Sequence, residues 1–319
     1  MILCVTLNPL VDTSYFVDEI RPVYRTEAYR VTHVAGGKGN NAARALTRLG
    51  YRARAFTVAG SRTGQHLSDL IDADGVDKVI AWISGETRQS ITVVDRAYQQ
   101  RAYFAPPQVW QPDDVSIVRQ QFARALDGAR AVCVCGSSPC ALADELYPEL
   151  VRAARARGAV TLLDSYGRAL QLGLQAAPTI AKMNRHEAST WLGRPIQSLA
   201  DQLAVLDEMR RHGVEWAVLT LGEAGALLAC DAGRWAARPP QVRALNPMGS
   251  GDAMAAVLVA GYLEGRTPLD CFRLSMAAAV ANAVAWDVCY LDRRQVEAMA
   301  PQIEISPLAS VTLEQEVTP

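Results

Sequence analysis

The sequence has no excess of charge of one sign, few aromatic residues and few histidines. Its 319 residues carry a formal net charge of -1, 7% are aromatic, and 4 are histidines. Nucleic-acid-binding domains usually present a strongly basic face, and the sequence contains neither a basic cluster nor an interleaved aromatic patch. We therefore expect no nucleic acid among the partners of this protein.

Paired cysteines and long apolar runs are also missing. The 7 cysteines form neither a CxxC pair nor a Cys/His cluster, so reduced, buried thiols are expected rather than a disulfide framework or structural zinc. No apolar run approaches the roughly 20 residues that a membrane span needs, which predicts no membrane partner. The chain begins with a strand-like run instead of a basic leader, so we expect no signal peptide and a cytoplasmic location.

Apolar β-rich runs alternate with amphipathic helical patterns along most of the chain. Strands are predicted at residues 2–7, 53–58, 131–135, 160–164, 179–183 and 216–221, and helices at 113–126, 141–157 and 199–212. This order predicts an α/β fold in which helices flank both faces of a central, mostly parallel sheet. Beyond Gly249 the pattern is almost wholly helical. We interpret residues 1–319 as a single domain.

Two segments break the alternation, at about residues 12–34 and 84–104. Short β-branched or aromatic runs separated by polar turns predict a small β-sheet there, standing over one edge of the main domain as a lid. The alternative is a set of extra edge strands in the main sheet. The tail after Pro301 has a Glu/Ser/Thr/Pro mixture and is expected to be weakly anchored.

The run Asn246-Pro-Met-Gly-Ser-Gly-Asp252 joins an extended segment to a helix rich in small residues. Gly249 and Gly251 allow a tight turn, so the amides of the first helical turn can face a phosphoryl group at the positive end of the helix dipole. Asp252 could then accept a proton from an attacking hydroxyl. The alternative interpretation is an ordinary capped helix start.

A second glycine cluster, Ala35-Gly-Gly-Lys38-Gly-Asn-Asn41, opens another helix. Lys38 offers a point charge for a phosphate, and Asn41 can both donate to and accept from sugar hydroxyls. The spacing matches neither a Walker A loop nor a dinucleotide fingerprint. By itself, this cluster fits a helix-capping loop equally well.

Taken in order, five motifs resemble the ribokinase-like PfkB carbohydrate kinases across nearly the whole chain. They are Thr6-Leu-Asn-Pro9 with Asp12, Gly36-Gly-Lys-Gly39, Gly85-Glu-Thr-Arg88, Lys182-Met-Asn184 with Glu187, and Asn246-Pro-Met-Gly-Ser-Gly-Asp252. The first, third and last look most like the 1-phosphofructokinase and tagatose-6-phosphate kinase branch. The resemblance implies a ribokinase-like fold and the transfer of phosphate from ATP to a sugar.

The resemblance also implies roles for individual residues. It makes Asp252 the general base and the backbone at Gly249, Ser250 and Gly251 the anion hole. Sugar hydroxyls would be held by Asp12, Gly37, Lys38 and Asn41, and Arg88 of the lid would pair with the phosphate already on the sugar. An exposed ion pair is the alternative for Arg88.

For the nucleotide, the resemblance implies an ATP site that includes Lys182, Asn184, Thr220, Gly222, Gly225 and Asn282. Glu187 would order Mg²⁺ through water, with the metal held chiefly by phosphate oxygens. Without the resemblance, the Thr220–Gly225 stretch is a plain turn and Asn282 a packing residue.

The sequence departs from the family pattern at three places, which bear on the sugar more than on the chemistry. Met183 replaces a usual proline, Gly136-Ser-Ser-Pro139-Cys-Ala141 lacks the final glycine of its loop, and the return strand of the lid lacks acidic residues. The resemblance implies phosphorylation of a ketohexose phosphate, first of all fructose 1-phosphate, by a homodimer paired through its lids. Tagatose 6-phosphate, another sugar or nucleoside, or a non-catalytic sensor of sugar phosphates are the alternatives.

Overall fold

The computed structural model describes residues 1–21 and 25–308, which form two β-sheets and the helices that cover them. The strands are β1 Ile2–Thr6, β2 Leu10–Phe16, β3 Arg30–Gly36, β4 Ala53–Ala59, β5 Asp77–Trp82, β6 Arg88–Val94, β7 Gln100–Phe104, β8 Ala131–Cys135, β9 Val160–Asp164, β10 Ile180–Asn184, β11 Trp216–Thr220, β12 Ala226–Cys230, β13 Gly233–Arg238 and β14 Glu304–Pro307. The helices are α1 Lys38–Arg48, α2 Ser61–Ala73, α3 Pro112–Ala125, α4 Ala141–Asp144, α5 Leu146–Ala156, α6 Gly167–Leu174, α7 Arg185–Leu192, α8 Leu199–Arg211, α9 Ser250–Leu263, α10 Pro268–Ala283 and α11 Arg293–Met299.

The larger sheet has the strand order β14-β13-β12-β11-β10-β9-β8-β1-β4-β5. Every pairing from β5 through to β11 is parallel, and the last three strands continue the sheet in antiparallel fashion. The predicted α/β fold with a mostly parallel sheet is therefore confirmed. Because parallel strands end at the same edge, residues that follow β1, β8, β9, β10 and β11 meet there.

Side chains alternate between the two faces of this sheet and build one apolar core on each. In β1, Ile2 and Cys4 pack on one face, whereas Leu3 and Val5 pack on the other. Helices α1, α9 and α10 cover the first face, and α3, α5 and α8 cover the second. A strand buried on both faces must be apolar throughout, which is why β1 reads as a continuous hydrophobic run.

The cysteines are free thiols, as expected from their spacing. Five are buried, and Cys140 and Cys230 are half-buried. Cys4 and Cys133 lie side by side on β1 and β8, inside the core. Burial raises the pKa of the Cys135 thiol well above its usual value, so this thiol stays protonated and unreactive.

The smaller sheet is separate from the large one, so the two irregular segments form a small sheet of their own and not extra edge strands of the main sheet. Its strand order is β3-β2-β6-β7, so it combines both predicted segments, although β2 begins slightly earlier and β3 ends slightly later than predicted. Residues 22–24 of the first segment lie outside the described residues. Strands β2 and β6 pair in parallel with Asp12 opposite Ser90, which places their alternate side chains on a common face.

Two local predictions are wrong for identifiable reasons. The helix expected at 141–157 is interrupted after Asp144, because Pro148 has no N–H to donate to the carbonyl four residues earlier. The tail after Pro301 is anchored further than expected, since β14 pairs with β13 from Glu304 to Pro307. Strands β5, β12 and β13 were not predicted, and residues 309–319 lie outside the described residues.

Helix α9 carries the glycine motif into the core between α1 and α10. The residues of this helix from Asp252 to Gly261 are buried. Burial is unusual for an acidic residue such as Asp252. A Cβ on Gly261 would lie 2.6 Å from the Cys271 Sγ, so glycine permits the close packing of α9 on α10.

In the described part of the chain, no helix is both long and apolar enough to cross a membrane.

Candidate active site

A cleft of about 330 Å³ lies between the carboxyl edge of the large sheet and one face of the small sheet. Residues from distant parts of the sequence line it, and several of them were predicted as site residues. These are Asp12, Gly37, Lys38, Asn41, Arg88, Gly249 and Asp252. The fold therefore brings the two glycine motifs and the Gly85-Glu-Thr-Arg88 turn to a single site.

A buried cluster of charges forms the floor of this site. Asp164, at the end of β9, accepts a hydrogen bond from Lys38 Nζ at 2.8 Å, and Lys182 Nζ lies 2.9 Å from its other oxygen. Lys38 also donates to Glu187 Oε1 at 2.9 Å. Burial would raise the pKa of Asp164, but Lys182 and Lys38 outweigh it and lower the pKa, so this carboxylate stays ionised.

Asp252 stands in the first turn of α9 and is 7% exposed. Its Oδ2 accepts a hydrogen bond from Asn41 Nδ2 at 2.7 Å. Burial and the negative charge of Asp164 raise the pKa of Asp252 to about 6, while Lys38, Asn41 and Lys182 act in the opposite direction. A carboxylate with a pKa near neutrality is well matched to accepting a proton in a reaction.

The turn before α9 has a backbone that only glycine accommodates. Gly249 has φ 80°, and a Cβ there would lie 2.4 Å from Val288 Cγ1. A Cβ on Gly251 would lie 3.2 Å from Lys182 Nζ, so the lysine approaches the start of the helix. The amides of this turn and Lys182 together form a positive region next to Asp252, as an anion hole requires.

Asn282 supports this turn from α10. Its Nδ2 donates to the Met248 carbonyl at 2.7 Å and to Ser250 Oγ at 3.1 Å, while its Oδ1 accepts from the Cys289 amide at 2.7 Å. These bonds occupy both ends of the amide. The adenine-binding role expected for Asn282 stays a prediction, and the structure shows a residue that holds the turn before α9 in shape.

The start of α1 directs Lys38 and Asn41 toward the cleft. Gly37 has φ 112°, and a Cβ there would lie 2.5 Å from Thr6 Cγ2. The Asn40 amide donates to Thr6 Oγ1 at 2.9 Å, which fixes the turn against the end of β1. The chain therefore enters α1 in a conformation that points its first polar side chains at Asp164 and Asp252.

The small sheet contributes the opposite wall. Ser90 Oγ donates to Asp12 Oδ1 at 2.6 Å, and burial raises the pKa of Asp12. Arg88 Nη2 donates to the Asn8 carbonyl at 3.4 Å, whereas its buried Nε has no hydrogen-bond partner among the described residues. Burial lowers the pKa of Arg88, an effect that Tyr166 opposes. A desolvated guanidinium with an unused donor favours an anionic ligand.

The residues expected to bind ATP follow β10 and β11. Asn184 lies opposite Thr220 in the register, and Asn184 and Glu187 cap α7 reciprocally through bonds of 2.9 and 2.7 Å. Gly225 has φ 99°, and a Cβ there would lie 2.0 Å from the Ala237 carbonyl oxygen. Gly222 has φ 66° with open space around it. These residues share the sheet edge with the cleft, and their contacts with a nucleotide stay predictions.

Glu187, the residue that the sequence assigns to Mg²⁺, has carboxylate oxygens of the type that suits this hard cation. Its Oε1 accepts from Lys38 Nζ and its Oε2 from the Asn184 backbone amide, whereas Asp164 is fully buried with both oxygens against lysine ammonium groups. No group of three or more metal-ligating side chains occurs within residues 1–21 and 25–308. The Mg²⁺ site stays a prediction, in which Glu187 acts through water and phosphate oxygens supply most of the ligands.

Sequence reasoning missed two buried residues of this site. Asp164 ends a predicted strand, and an acidic residue at the carboxyl end of a buried parallel strand is a signal that could have been used. Arg44, 1% exposed, lies on the buried face of α1 and donates to Asn41 Oδ1 at 2.9 Å. The periodicity of α1 indicates a buried position for residue 44, but no sequence pattern names the partners of this arginine.

A large, mostly parallel sheet flanked by helices, with a separate small sheet across its carboxyl edge, defines the ribokinase-like fold. Phosphofructokinase-2 from Escherichia coli in complex with substrates and products superposes with a TM-score of 0.84 at 26% identity, over 94% of this chain and 98% of that chain. A putative phosphofructokinase from Staphylococcus aureus has a TM-score of 0.80 at 25% identity, over 97% and 99%. A possible 1-phosphofructokinase from Thermotoga maritima has a TM-score of 0.88 over 97% and 99%, and its 22% identity shows the fold only.

The sequence pattern of the pfkB family carbohydrate kinases matches residues 3–285. The match covers the small sheet, the large sheet apart from Ile2 and β14, and helices α9 and α10. The chain therefore belongs to this family of sugar kinases.

We predict that Asp252→Asn stabilises the fold at pH 8. The pKa of about 6 lies above the ordinary value of 3.8, so the folded state binds this proton more tightly and loses stability as pH rises through 6. Removing the charge should recover up to about 3 kcal/mol above pH 6. The gain should disappear as pH falls toward 4.

Urea unfolding of both proteins at pH 4, 6 and 8 measures this difference. Asp231, whose side chain is 92% exposed, supplies the control through Asp231→Asn, for which no such pH-dependent gain is expected. A destabilised Asp252→Asn variant at pH 8 would contradict the excess of negative charge in the cluster.

Proposed function

We propose that this protein transfers the γ-phosphoryl group of ATP to a ketohexose phosphate, with fructose 1-phosphate converted to fructose 1,6-bisphosphate as the leading reaction. One observation carries the proposal. Asp252 lies in the first turn of α9, in a cleft that Lys38 and Arg88 also line. Lys38 is paired with Asp164 and Glu187, so Arg88, whose buried Nε has no hydrogen-bond partner among the described residues, is the cation that suits an anionic acceptor better than a neutral sugar.

In the proposed mechanism, Asp252 accepts the proton of the C6 hydroxyl as its oxygen attacks the γ-phosphorus. The carboxylate is ionised above pH 6 and can perform this step at neutral pH. The amides at Gly249 and Gly251, with Lys182 close to Gly251, stabilise charge on the transferring group. The Ser250 amide donates to the Pro247 carbonyl at 3.2 Å and helps to hold this turn. Asn41 and Asp12 hold hydroxyl groups of the sugar.

Lys182, Asn184, Thr220, Gly222 and Gly225 are the residues that we assign to ATP, whereas Asn282 supports the turn before α9 with both ends of its side-chain amide. Glu187 would hold Mg²⁺ through water, and the metal would neutralise phosphate charge. Lys38 bridges Asp164 and Glu187, and it also lines the cleft. The Lys38 ammonium group therefore lies between the carboxylate proposed for the metal and the cleft proposed for the sugar.

The small sheet acts as a lid in this proposal. Asp12 and Arg88 belong to it, so its approach to the large sheet completes the sugar site and excludes water. A kinase needs this exclusion, because water in the closed site could replace the sugar as acceptor and the bound ATP would be hydrolysed without product. The cytoplasmic location expected from the sequence stays a prediction.

Fructose 6-phosphate is the second candidate acceptor. Phosphofructokinase-2 from Escherichia coli has been solved in complex with fructose-6-phosphate, and it matches 94% of this chain at 25% identity. Tagatose 6-phosphate belongs to the same class of anionic ketohexose. A sensor without catalytic activity would not need a carboxylate whose pKa lies near 6.

We also propose a homodimer paired through the outer faces of the small sheets. Ile91 lies opposite Tyr103 on this face, and Tyr15 lies opposite Val31. These four side chains are 37 to 61% exposed, although they are large and apolar. An apolar sheet face of this kind favours a partner surface of the same kind. One related structure is a tetrameric form of phosphofructokinase-2 from Escherichia coli.

With magnesium-ATP and fructose 1-phosphate, we expect ADP release that exceeds the rates with fructose 6-phosphate, tagatose 6-phosphate, fructose, ribose and adenosine. Asp252→Asn should lower turnover about 100-fold or more, because general-base catalysis is lost. Its binding of sugar phosphate should change little. A coupled assay and calorimetry measure the two quantities.

In the same assay, kcat/KM should fall as the pH drops below about 6, because Asp252 becomes protonated and can no longer accept a proton. Full turnover by Asp252→Asn would refute its role as the base. Absence of turnover with every acceptor, together with tight binding of a sugar phosphate, would favour the sensor.

Arg88→Ala should raise KM for the sugar phosphate about 10- to 100-fold and leave KM for ATP nearly unchanged, since a charge-assisted contact with phosphate is lost. Arg96→Ala provides a control in the turn that follows the same strand, because Arg96 forms a surface ion pair with Asp18 at 2.6 Å. Steady-state kinetics with each substrate varied in turn measure both constants. Equal increases in the two KM values would remove Arg88 from the phosphate site.

Ile91→Glu should convert the dimer into a monomer, because it places a carboxylate in the centre of the proposed interface. Leu199→Glu is the matched control, since Leu199 is also 43% exposed but begins α8, away from the small sheet. Sedimentation velocity reports the mass of each variant. A wild-type monomer, or an Ile91→Glu dimer, would contradict this interface.

A further inference from the structure

Arg44 is buried in α1 beneath the cleft, with 1% of its surface exposed. Its Nε donates to Asp74 Oδ2 at 2.7 Å, and its Nη2 donates to the Ala35 carbonyl at 2.8 Å. Its Nη1 donates to Asn41 Oδ1 at 2.9 Å and to the Val288 carbonyl at 3.4 Å. Asp74 supplies the counter-charge and also accepts a hydrogen bond from the Tyr290 hydroxyl. The guanidinium is therefore held on all sides.

This arrangement decides which way the side-chain amide of Asn41 points. A guanidinium can only donate hydrogen bonds, so the atom of Asn41 that faces Arg44 must be its oxygen. The amide nitrogen then faces Asp252, with Nδ2 2.7 Å from Oδ2. If the amide were turned over, its N–H groups would meet the guanidinium and its oxygen would meet the carboxylate, and both contacts would be repulsive.

We propose that Arg44 is a positioning residue for the phosphoryl-transfer reaction, because it orients Asn41 so that the amide donates to one oxygen of the general base Asp252. The inference rests on the proposed function and adds a residue that acts on the general base through Asn41. With Oδ2 held by Asn41, the other carboxylate oxygen is assigned to receive the proton of the substrate.

The hydrogen bond from Asn41 also favours the ionised form of Asp252. Other groups face this carboxylate from each neighbouring element, and their effects must be separated from that of Asn41. Lys38 of α1 and Lys182 of β10 favour ionisation, whereas Asp164 of β9 opposes it. The buried thiol of Cys289 lies close enough for its own pKa to be raised by Asp252. Arg44 acts through Asn41, since its own charge is paired with Asp74.

Arg44→Lys tests the proposal while keeping a positive charge opposite Asp74. A lysine cannot reproduce the fork that reaches Asp74, Ala35 and Asn41 together, so the orientation of the amide should be lost. We expect the pKa of Asp252 to rise by about one unit and kcat to fall about 10-fold, with KM for ATP unchanged. Arg54→Lys is the matched control, since Arg54 pairs with Asp77 at 2.7 Å on the sheet edge.

Carbon-13 NMR of the Asp252 carboxyl group, assigned by its absence in Asp252→Asn, measures the titration without any substrate. An upward shift in Arg44→Lys but not in Arg54→Lys is the expected result. If Asp252 titrates at the same pH in a folded Arg44→Lys protein as in the wild type, the proposal is overturned, whatever the change in thermal stability. If Arg44→Lys does not fold, Asp74→Asn weakens the same support with a smaller change of shape.

A double-mutant cycle with Asn41→Ala separates orientation from simple electrostatics. If Arg44 acts through the amide, Arg44→Lys should not shift the Asp252 titration further when Asn41 is absent. A shift of equal size in both backgrounds would show an effect through space and overturn the role. Because the titration needs no acceptor, it is independent of the substrate panel, in which failure of every acceptor would count against the proposed function instead.

Discussion

The site depends on a buried excess of negative charge at the carboxyl edge of the large sheet. Asp164, Glu187 and Asp252 face the ammonium groups of Lys38 and Lys182. The lysines hold Asp164 ionised, and burial together with the negative charge of Asp164 raises the pKa of Asp252. The excess of negative charge lowers the stability of the fold, and it also provides a carboxylate able to exchange a proton near neutral pH. Stability and chemistry are coupled through one cluster.

Glycine is what allows the backbone to approach this cluster. The turns at Gly37 and Gly249 each occupy a conformation with positive φ, and a side chain at either position would collide with a neighbouring residue. The first turns of α1 and α9 consequently converge on Asp164 and bring their amides into the cleft. The small sheet then closes the opposite side with Asp12 and Arg88, which would otherwise have no access to the charges below.

The fold was largely predictable because its signals are local. Continuous apolar runs in β8 and β9, and the periodicity of α3 and α8, depend on burial that repeats along the element. Strand β14 was not predictable, because its hydrogen bonds come from an exposed edge that only the completed sheet provides. The break after Asp144 did have a local cause in Pro148, and that signal outweighed the helical periodicity around it.

The sequence by itself determined which residues could carry the chemistry, since glycines before Asp252 and Lys38 at a helix start are local patterns. Tertiary structure alone decided their partners. Lys38 was expected at a sugar phosphate and rests between Asp164 and Glu187, while Asn282 supports the turn before α9. Arg44 lies three residues after Asn41, yet its counter-ion Asp74 is thirty residues away. Electrostatic pairing depends on distance in space, which sequence spacing does not specify.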